Sequence, residues 1–288
     1  MPDTDNEIEE ESLPHYMVTT GLICSSFSLV ASGCMIVSYL MNRKQREHFY
    51  YFWVFHLAIA DFLISAGGLY DWINANSFQC ILFSAVLNMG LLCAYFFINY
   101  IAFVLYYSTS RTLETRLLYT QRVKIVACTY LLVLGLAIGP IFTDSYGSGG
   151  TYCWLKPARD IPLWIWTILE YYIPISATTI FTSYLYKRIY DNFKAENQIG
   201  VTGAKYIWVL LLIPLIYCLT NFLSVVDRVF IYFDMYKDWL QLIHILLRQL
   251  QGLYHALLYG YAAIKTSLKI ETIVVPFRAS QNNLSKTL

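Results

Sequence analysis

The sequence predicts an all-α fold, a bundle of seven transmembrane helices with the N-terminus outside the cell and the C-terminus in the cytoplasm. Of its 288 residues, 57% are hydrophobic and 14% are charged, whereas a soluble domain usually carries about a quarter charged residues. The charges are confined to short clusters between long apolar stretches. That pattern is expected when lipid is the solvent. The basic residues form no continuous face, which argues against nucleic-acid binding.

Seven stretches of about 20 mainly apolar residues are long enough to cross a bilayer. They run over residues 17–41, 50–70, 80–107, 125–142, 163–186, 206–233 and 239–264. They divide the chain into an acidic extracellular tail at 1–16, a transmembrane domain at 17–264 and a cytoplasmic tail at 265–288. The acidic tail has neither the basic start nor the cleavage site of a signal peptide. We therefore expect the first stretch to remain as an uncleaved anchor in the lipid bilayer.

The distribution of Lys and Arg predicts the orientation, because cytoplasmic connections carry an excess of these residues. Most of them follow the first, third and fifth stretches or lie in the C-terminal tail, whereas the opposite side holds only Lys156, Arg159 and Lys237. In the tail, apolar residues alternate with basic ones between 265 and 277. This pattern is typical of an amphipathic helix on the inner leaflet, but Pro276 equally favours a frayed segment.

Two of the seven cysteines lie outside the apolar interior of the predicted spans. Cys80 begins the third stretch at its outer end, and Cys153 lies in the second outer loop. Both face an oxidising compartment, where disulfides form and persist. The sequence therefore predicts a disulfide that ties this loop over the mouth of the bundle.

A group of polar residues inside the last three predicted spans forms the candidate ligand site: Glu170, Asp227, Arg228, Arg248 and Gln249. Ionisable residues are costly in a membrane and are hypotheses for a functional site by default. At a rise of about 1.5 Å per residue, each lies roughly 8 to 15 Å from the outer end of its helix. The acids and bases either pair with one another for stability, or line an outer pocket in which an Arg binds an anionic ligand. The planar guanidinium suits phosphate and carboxylate.

A metal site is not predicted, and neither is a cofactor or a catalytic residue. His244 and His255 are 11 residues apart, which differs from the four-residue spacing of two metal ligands on one helix face. We expect both to be histidines whose hydrogen bonds are satisfied within the bundle.

Short motifs resemble those of known receptor families. The Cys-Trp-Leu at 153–155 resembles the Cys-Trp pair of the secretin-like receptors and of the slime-mould cyclic AMP receptor family. The Gln-Gly, Ala and Tyr within 251–259 are similar to the secretin-like seventh helix. The segments at 225–229 and 33–35 resemble the cyclic AMP receptor family. The Asp-Arg-Tyr and Asn-Pro-x-x-Tyr motifs of rhodopsin-like receptors are absent from the sequence.

Two residues gain a candidate role as switches from these resemblances. The Leu-Ala-Ile-Ala-Asp at 57–61 resembles the second-helix signature of rhodopsin-like receptors. It implies a switch or sodium-like site at Asp61, although a structural aspartate remains an equal alternative. Pro214 lies in the sixth stretch, and the resemblance implies that this helix swings outward to open the cytoplasmic cavity. A static kink is the other interpretation, because proline bends helices.

The resemblance implies a G-protein-coupled receptor at the plasma membrane, with an unassigned extracellular ligand and a heterotrimeric G protein as partners. We expect the inner basic residues to contact the G protein: Arg111, Arg116, Arg122, Lys187 and Arg188. The alternatives are a seven-helix transporter or a membrane enzyme. An enzyme of this class needs several His and Asp residues at metal-ligand spacing. A retinal protein needs a lysine in the seventh span, and residues 239–264 contain none.

Overall fold

The computed structural model describes residues 15–47, 49–71, 77–109, 115–148, 153–156, 161–196, 201–233, 235 and 237–267. Helices make up nearly all of this part of the chain, joined by one small hairpin. The elements are α1 (His15–Met41), α2 (Arg43–Glu47), α3 (Phe49–Asp71), α4 (Ser77–Thr109), α5 (Thr115–Phe142), β1 (Tyr146–Ser148), β2 (Cys153–Leu155), α6 (Ile161–Thr167), a π-helical turn (Ile168–Tyr172), α7 (Ile173–Glu196), α8 (Val201–Tyr232), α9 (Asp238–Gln249) and α10 (Gln251–Ser267).

The described residues of the apolar stretches predicted from the sequence are helical except at Phe233 and Leu250. Two helices extend well beyond the predicted stretches, because α5 begins at Thr115 and α7 continues to Glu196. The additional turns are polar, so a search for apolar residues does not detect them. The fifth and seventh stretches are each interrupted. The π-helical turn lies inside the fifth, and Leu250 separates α9 from α10 in the seventh.

Four helices in the described part of the chain are long and apolar enough to cross a membrane, judged by length and composition. These segments are Tyr16–Met41, Phe49–Leu69, Phe78–Tyr107 and Thr120–Phe142. In the fifth and seventh stretches the apolar residues are divided between two helices. The result is a helical bundle whose first four long helices each have the character of a membrane span.

Helix α4 is the centre of the bundle and packs against α3, α5, α7, α8 and both strands. Its contact with α3 is close because two glycines lie in it. A Cβ atom on Gly90 would lie 2.9 Å from the backbone nitrogen of Ile64, and one on Gly67 would lie 2.9 Å from the Cβ of Leu87. Small residues let membrane helices approach closely. Further along α4, Trp53 of α3 stacks on Tyr100 of α4 at 4.8 Å.

The outward faces of the helices are strongly apolar. On α5, Leu131 and Leu132 are exposed. The outer surfaces of α1, α7 and α8 are similar, with exposed Val30, Ile180 and Phe222. A soluble protein rarely exposes continuous apolar surface of this kind, so these faces fit a lipid environment.

Candidate functional site

A disulfide-linked hairpin lies over one end of the bundle. Cys80 at the start of α4 is bonded to Cys153 of β2, which confirms the predicted pair. The hairpin is antiparallel, with Gly147 opposite Trp154. Its side chains are inserted into the bundle, since Tyr146 and Trp154 are 1% and 2% exposed. The hairpin therefore supplies buried residues to this end of the bundle.

Two guanidinium groups lie next to the indole ring of Trp154. The Cζ atom of Arg228 is 4.5 Å from the ring centroid, and that of Arg248 is 5.7 Å from it. Both distances fall within the range of a cation–π contact. The ring of Tyr171 packs edge-on against the same indole at 5.1 Å, and its hydroxyl donates a 2.6 Å hydrogen bond to Ser224. The structure thus brings together two of the five predicted ligand-site residues around a tryptophan of the outer loop.

Asp227, which directly precedes Arg228 in the sequence, has a histidine partner. Nδ1 of His244 lies 2.8 Å from Oδ2 of Asp227, and both residues are buried. The contact joins α8 to α9. One ring nitrogen of His244 therefore has a carboxylate partner inside the bundle.

Glu170 lies in the middle of the π-helical turn and is 1% exposed. A π-helical turn inserts an extra residue into the helix and is frequent at functional sites. Asn88 of α4 donates through Nδ2 to the Glu170 carboxylate and to the hydroxyl of Tyr146, the latter at 2.9 Å. The Tyr146 hydroxyl in turn donates to the carbonyl oxygen of Ala137 at 3.0 Å. Burial raises the pKa of Tyr146, so this hydroxyl remains protonated.

Gln249, the remaining predicted ligand-site residue, faces a different part of the bundle. Its Oε1 accepts a 3.0 Å hydrogen bond from Ser25 of α1. Its amide also packs against Gly68, where a Cβ atom would lie 2.5 Å from Oε1. Consecutive residues of an α-helix are about 100° apart around the axis. Arg248 and Gln249 therefore face different neighbours, and Gln249 connects α9 to α1 and α3.

Asp61 is buried between α3 and α10. Its carboxylate accepts a 3.2 Å hydrogen bond from Gln251 and lies 2.7 Å from Nδ1 of His255. Gly252 lies against the same carboxylate, since a Cβ there would be 3.2 Å from Cβ of Asp61. The other predicted switch residue, Pro214, lies inside α8, and the helix continues through it.

The predicted G-protein contact residues are described only in part. Arg122 of α5 lies over the ring of Phe52 at 4.8 Å. On α7, Lys187 is exposed, and Arg188 donates a 3.2 Å hydrogen bond to the hydroxyl of Tyr184. Arg111 and the side chain of Arg116 lie outside the described residues. The two described positions on α7 thus present positive charge at the end of the helix opposite Glu170.

Among the described residues, no group of three or more His, Cys, Asp or Glu residues could hold a metal ion. Sequence reasoning missed Asn88 as a partner of Glu170, and Tyr146 as a residue of the same cluster. The only signal was that Asn88 is a polar residue in an apolar stretch. Nothing in the sequence places Tyr146 against it.

No protein-family model matches the sequence, and no curated protein sequence matches it. Among solved structures, the crystal structure of squid rhodopsin is similar, with a TM-score of 0.67 at 12% sequence identity. The similarity covers 90% of this chain and 80% of that chain. At this identity the comparison shows the fold alone, a helical bundle like that of rhodopsin.

Proposed function

We propose that the protein is a cell-surface G-protein-coupled receptor that binds an extracellular anionic ligand between its outer helix ends and activates a heterotrimeric G protein. The chain crosses the plasma membrane seven times in this proposal, with the N-terminus outside. The cyclic AMP receptor-like and secretin-like motifs make that grouping the proposed subfamily. The receptor-like fold supports the class of protein.

The observation that carries the ligand site is the pair of arginines around Trp154. Two guanidinium groups within 4.5 and 5.7 Å of one ring concentrate positive charge at depths where charge is expensive. Arg228 lies four residues before the end of α8 at Tyr232, and Arg248 lies ten residues after the start of α9 at Asp238. Both arginines are half-buried, and an anionic group that reaches this cluster would interact favourably with both cations.

Signalling requires that ligand binding favours one of two bundle conformations. A ligand shifts such an equilibrium only by its differential affinity for the two states, and coupling between sites is typically about 1 to 3 kcal/mol. The fold offers three places where the helices can change shape: the π-helical turn, the break at Leu250 and Pro214 within α8. In the proposal these sites and Asp61 link the outer arginines to the inner face. There the basic residues contact the G protein.

The alternative is a transporter or a membrane enzyme with no signalling role. Such a transporter typically shows two related halves with interrupted helices near the bilayer midplane, and the sequence shows no related halves. An enzyme needs a reactive group that a substrate can reach. In the described polar clusters the carboxylates contact histidines and amides, and the guanidiniums contact an indole, which favours recognition over catalysis.

The experiment that tests the proposal is G-protein activation in cells that express the full chain. The ligand panel contains cyclic nucleotides, other phosphates and carboxylates, and agonist-free activity is recorded for each G-protein class. We expect an anionic ligand to activate the wild type, and Arg248→Ala to abolish the response. Lys237→Ala is the matched control, because it removes an exposed cation near the start of α9. Surface expression without nucleotide exchange on any G protein contradicts the coupling.

A further inference from the structure

Glu170 differs from the other two carboxylates buried in the described part of the bundle. Asp61 and Asp227 each lie within hydrogen-bonding distance of a histidine, at 2.7 and 2.8 Å. No Lys, Arg or His among the described residues forms an ion pair with Glu170. A buried carboxylate without a cationic partner is unfavourable and marks a functional site by default in a membrane bundle.

Two acceptor atoms of the Glu170 cluster receive no hydrogen bond from any described residue. They are Oε1 of Glu170 and Oδ1 of Asn88. Asn88 donates through Nδ2 to Oε2 of Glu170 and to the hydroxyl of Tyr146. Oδ1 of Asn88 and Oε1 of Glu170 therefore remain available as acceptors. Each is fully buried, where an unsatisfied acceptor costs roughly 1 to 3 kcal/mol. The chemistry that satisfies both is a group with several donors and a positive charge.

The acceptor pair and the arginine cluster contact the same hairpin, because Asn88 donates to the hydroxyl of Tyr146 on β1 and Trp154 lies on the paired strand β2. Tyr171 follows Glu170 directly in the turn, and its ring packs against Trp154 at 5.1 Å. Arg228 lies on the same indole at 4.5 Å. A negative pole at Glu170 and a positive pole at the arginines therefore lie against the same hairpin.

We propose that Glu170 and Asn88 bind the protonated amine of the ligand, whose anionic group is bound by Arg228 and Arg248, so that the ligand is a zwitterion of the amino-acid type. An ammonium has three donors and one positive charge, which matches the two acceptor oxygens and the uncompensated carboxylate. This inference rests on the anion site of the proposed function and adds the second pole. It restricts the ligand to molecules that carry both charges.

Tyr146 controls access to the amine site. Its side chain comes from the outer hairpin and is 1% exposed. Its hydroxyl accepts a hydrogen bond from Nδ2 of Asn88. A ligand that enters beneath the hairpin must displace this hydroxyl or pass beside it. The disulfide holds the hairpin close to α4 through Cys153, so the movement needed is that of one side chain rather than of the loop.

The test measures binding directly, apart from signalling, by thermal stabilisation of the purified full chain in lipid nanodiscs. The probes are the standard L-amino acids and straight-chain ω-amino acids. Each compound that binds is then compared with its N-acetyl derivative, which keeps the carboxylate and loses the ammonium. We expect at least one zwitterion to raise the melting temperature. We also expect its N-acetyl derivative to bind about tenfold or more weakly, as for the loss of a hydrogen bond to a charged group.

Glu170→Gln identifies the residue responsible. We expect this variant to lose about tenfold or more in affinity for the zwitterion and to bind the N-acetyl derivative as the wild type does. Asp238→Asn, which removes an exposed acid from the first turn of α9, should leave both affinities unchanged. If Glu170→Gln does not fold, the comparison of zwitterion with N-acetyl derivative on the wild type still decides whether the protein recognises the ammonium.

The outcomes separate this inference from the proposed function. Equal affinity for a zwitterion and its N-acetyl derivative overturns the amine site while the anion site stands. Failure of every zwitterion to bind overturns the inference, and anionic activators from the cell assay would then define the ligand class. Binding of a zwitterion without activation of any G protein supports the amine site and contradicts the receptor function.

Discussion

The Nδ1 atom of His255 lies 2.7 Å from Oδ2 of Asp61, although the two residues are 194 positions apart in the sequence. Both are buried where α10 meets α3, and Gln251 donates a second hydrogen bond to the same carboxylate. A carboxylate with two donors is strongly held. The arrangement gives a structural role to a residue whose sequence motif also implies a switch.

Substitution of Asp61 separates these roles. Asp61→Ala leaves two buried donors without an acceptor, so we expect a loss of about 1 to 3 kcal/mol for each. Asp61→Asn keeps an acceptor oxygen and should lower the melting temperature less. If Asp61 is a switch, Asp61→Asn also changes agonist-free G-protein activity per receptor at the surface. A change in melting temperature alone identifies a structural aspartate.

The close packing of α3 against α4 predicts an asymmetry between two glycines. Gly90→Ala places a methyl group 2.9 Å from the backbone nitrogen of Ile64 and 3.0 Å from the carbonyl oxygen of Ala60, neither of which can move independently of its helix. We expect a loss of about 1 to 3 kcal/mol, as for overpacked cores. Thermal unfolding in detergent measures the difference.

Gly135→Ala is the matched control for this substitution. No described atom lies within 4 Å of a Cβ at Gly135, and alanine is a better helix former than glycine by roughly 0.5 to 1 kcal/mol. Gly135→Ala should therefore leave stability unchanged or raise it slightly. Equal destabilisation by both alanines contradicts the packing argument.

The disulfide predicts that the two cysteines behave as a unit. Cys80 and Cys153 are 73 residues apart, and removal of a disulfide typically costs about 2 to 5 kcal/mol. Cys80→Ser, Cys153→Ser and the double variant should lower the melting temperature by similar amounts, because each removes the same bond. A double variant that is much less stable than either single variant shows that the cysteines act separately.

How much the sequence predicts depends on whether the partners are close in the chain. The apolar stretches are a local signal, and the Cys80–Cys153 pair is predicted because both cysteines face the same oxidising compartment. Both features appear in the structure. The pairing of Asp61 with His255 depends on which helices become neighbours, which hydrophobicity does not encode. The same limit explains Asn88, whose partner Glu170 lies 82 residues away.

The position of Gln249 also has a geometric cause. Gln249 belongs to the predicted ligand set by its depth, but the helical rotation of about 100° per residue directs it to Ser25 of α1. The depth of a residue along a helix can be counted from the sequence. The neighbour that its side chain contacts depends on how the helices pack. The π-helical turn also changes the direction of the Glu170 side chain, and nothing in the composition of the sequence indicates this turn.

We expect the indole of Trp154 to contribute to stability and to ligand affinity through its aromatic face as well as through its size. Cation–π contacts are worth about 0.5 to 2 kcal/mol, and two arginines share this ring. Trp154→Phe keeps an aromatic face and should reduce stability and ligand affinity less than Trp154→Leu, which has none. Comparable losses in the two variants indicate that the pocket needs apolar volume alone.

The orientation predicted from Lys and Arg can be measured on intact cells. An epitope tag placed before Met1 should bind antibody without permeabilisation, whereas a tag placed after Leu288 should bind only in permeabilised cells. The acceptor sequence Asn283-Leu284-Ser285 supplies an independent measurement, because N-glycosylation occurs on the extracellular side. We expect Asn283 to stay unmodified, so that Asn283→Gln leaves the electrophoretic mobility unchanged. A glycan at Asn283, or surface labelling of the C-terminal tag, reverses the orientation and moves the arginine cluster to the cytoplasmic side, where it can bind no extracellular ligand.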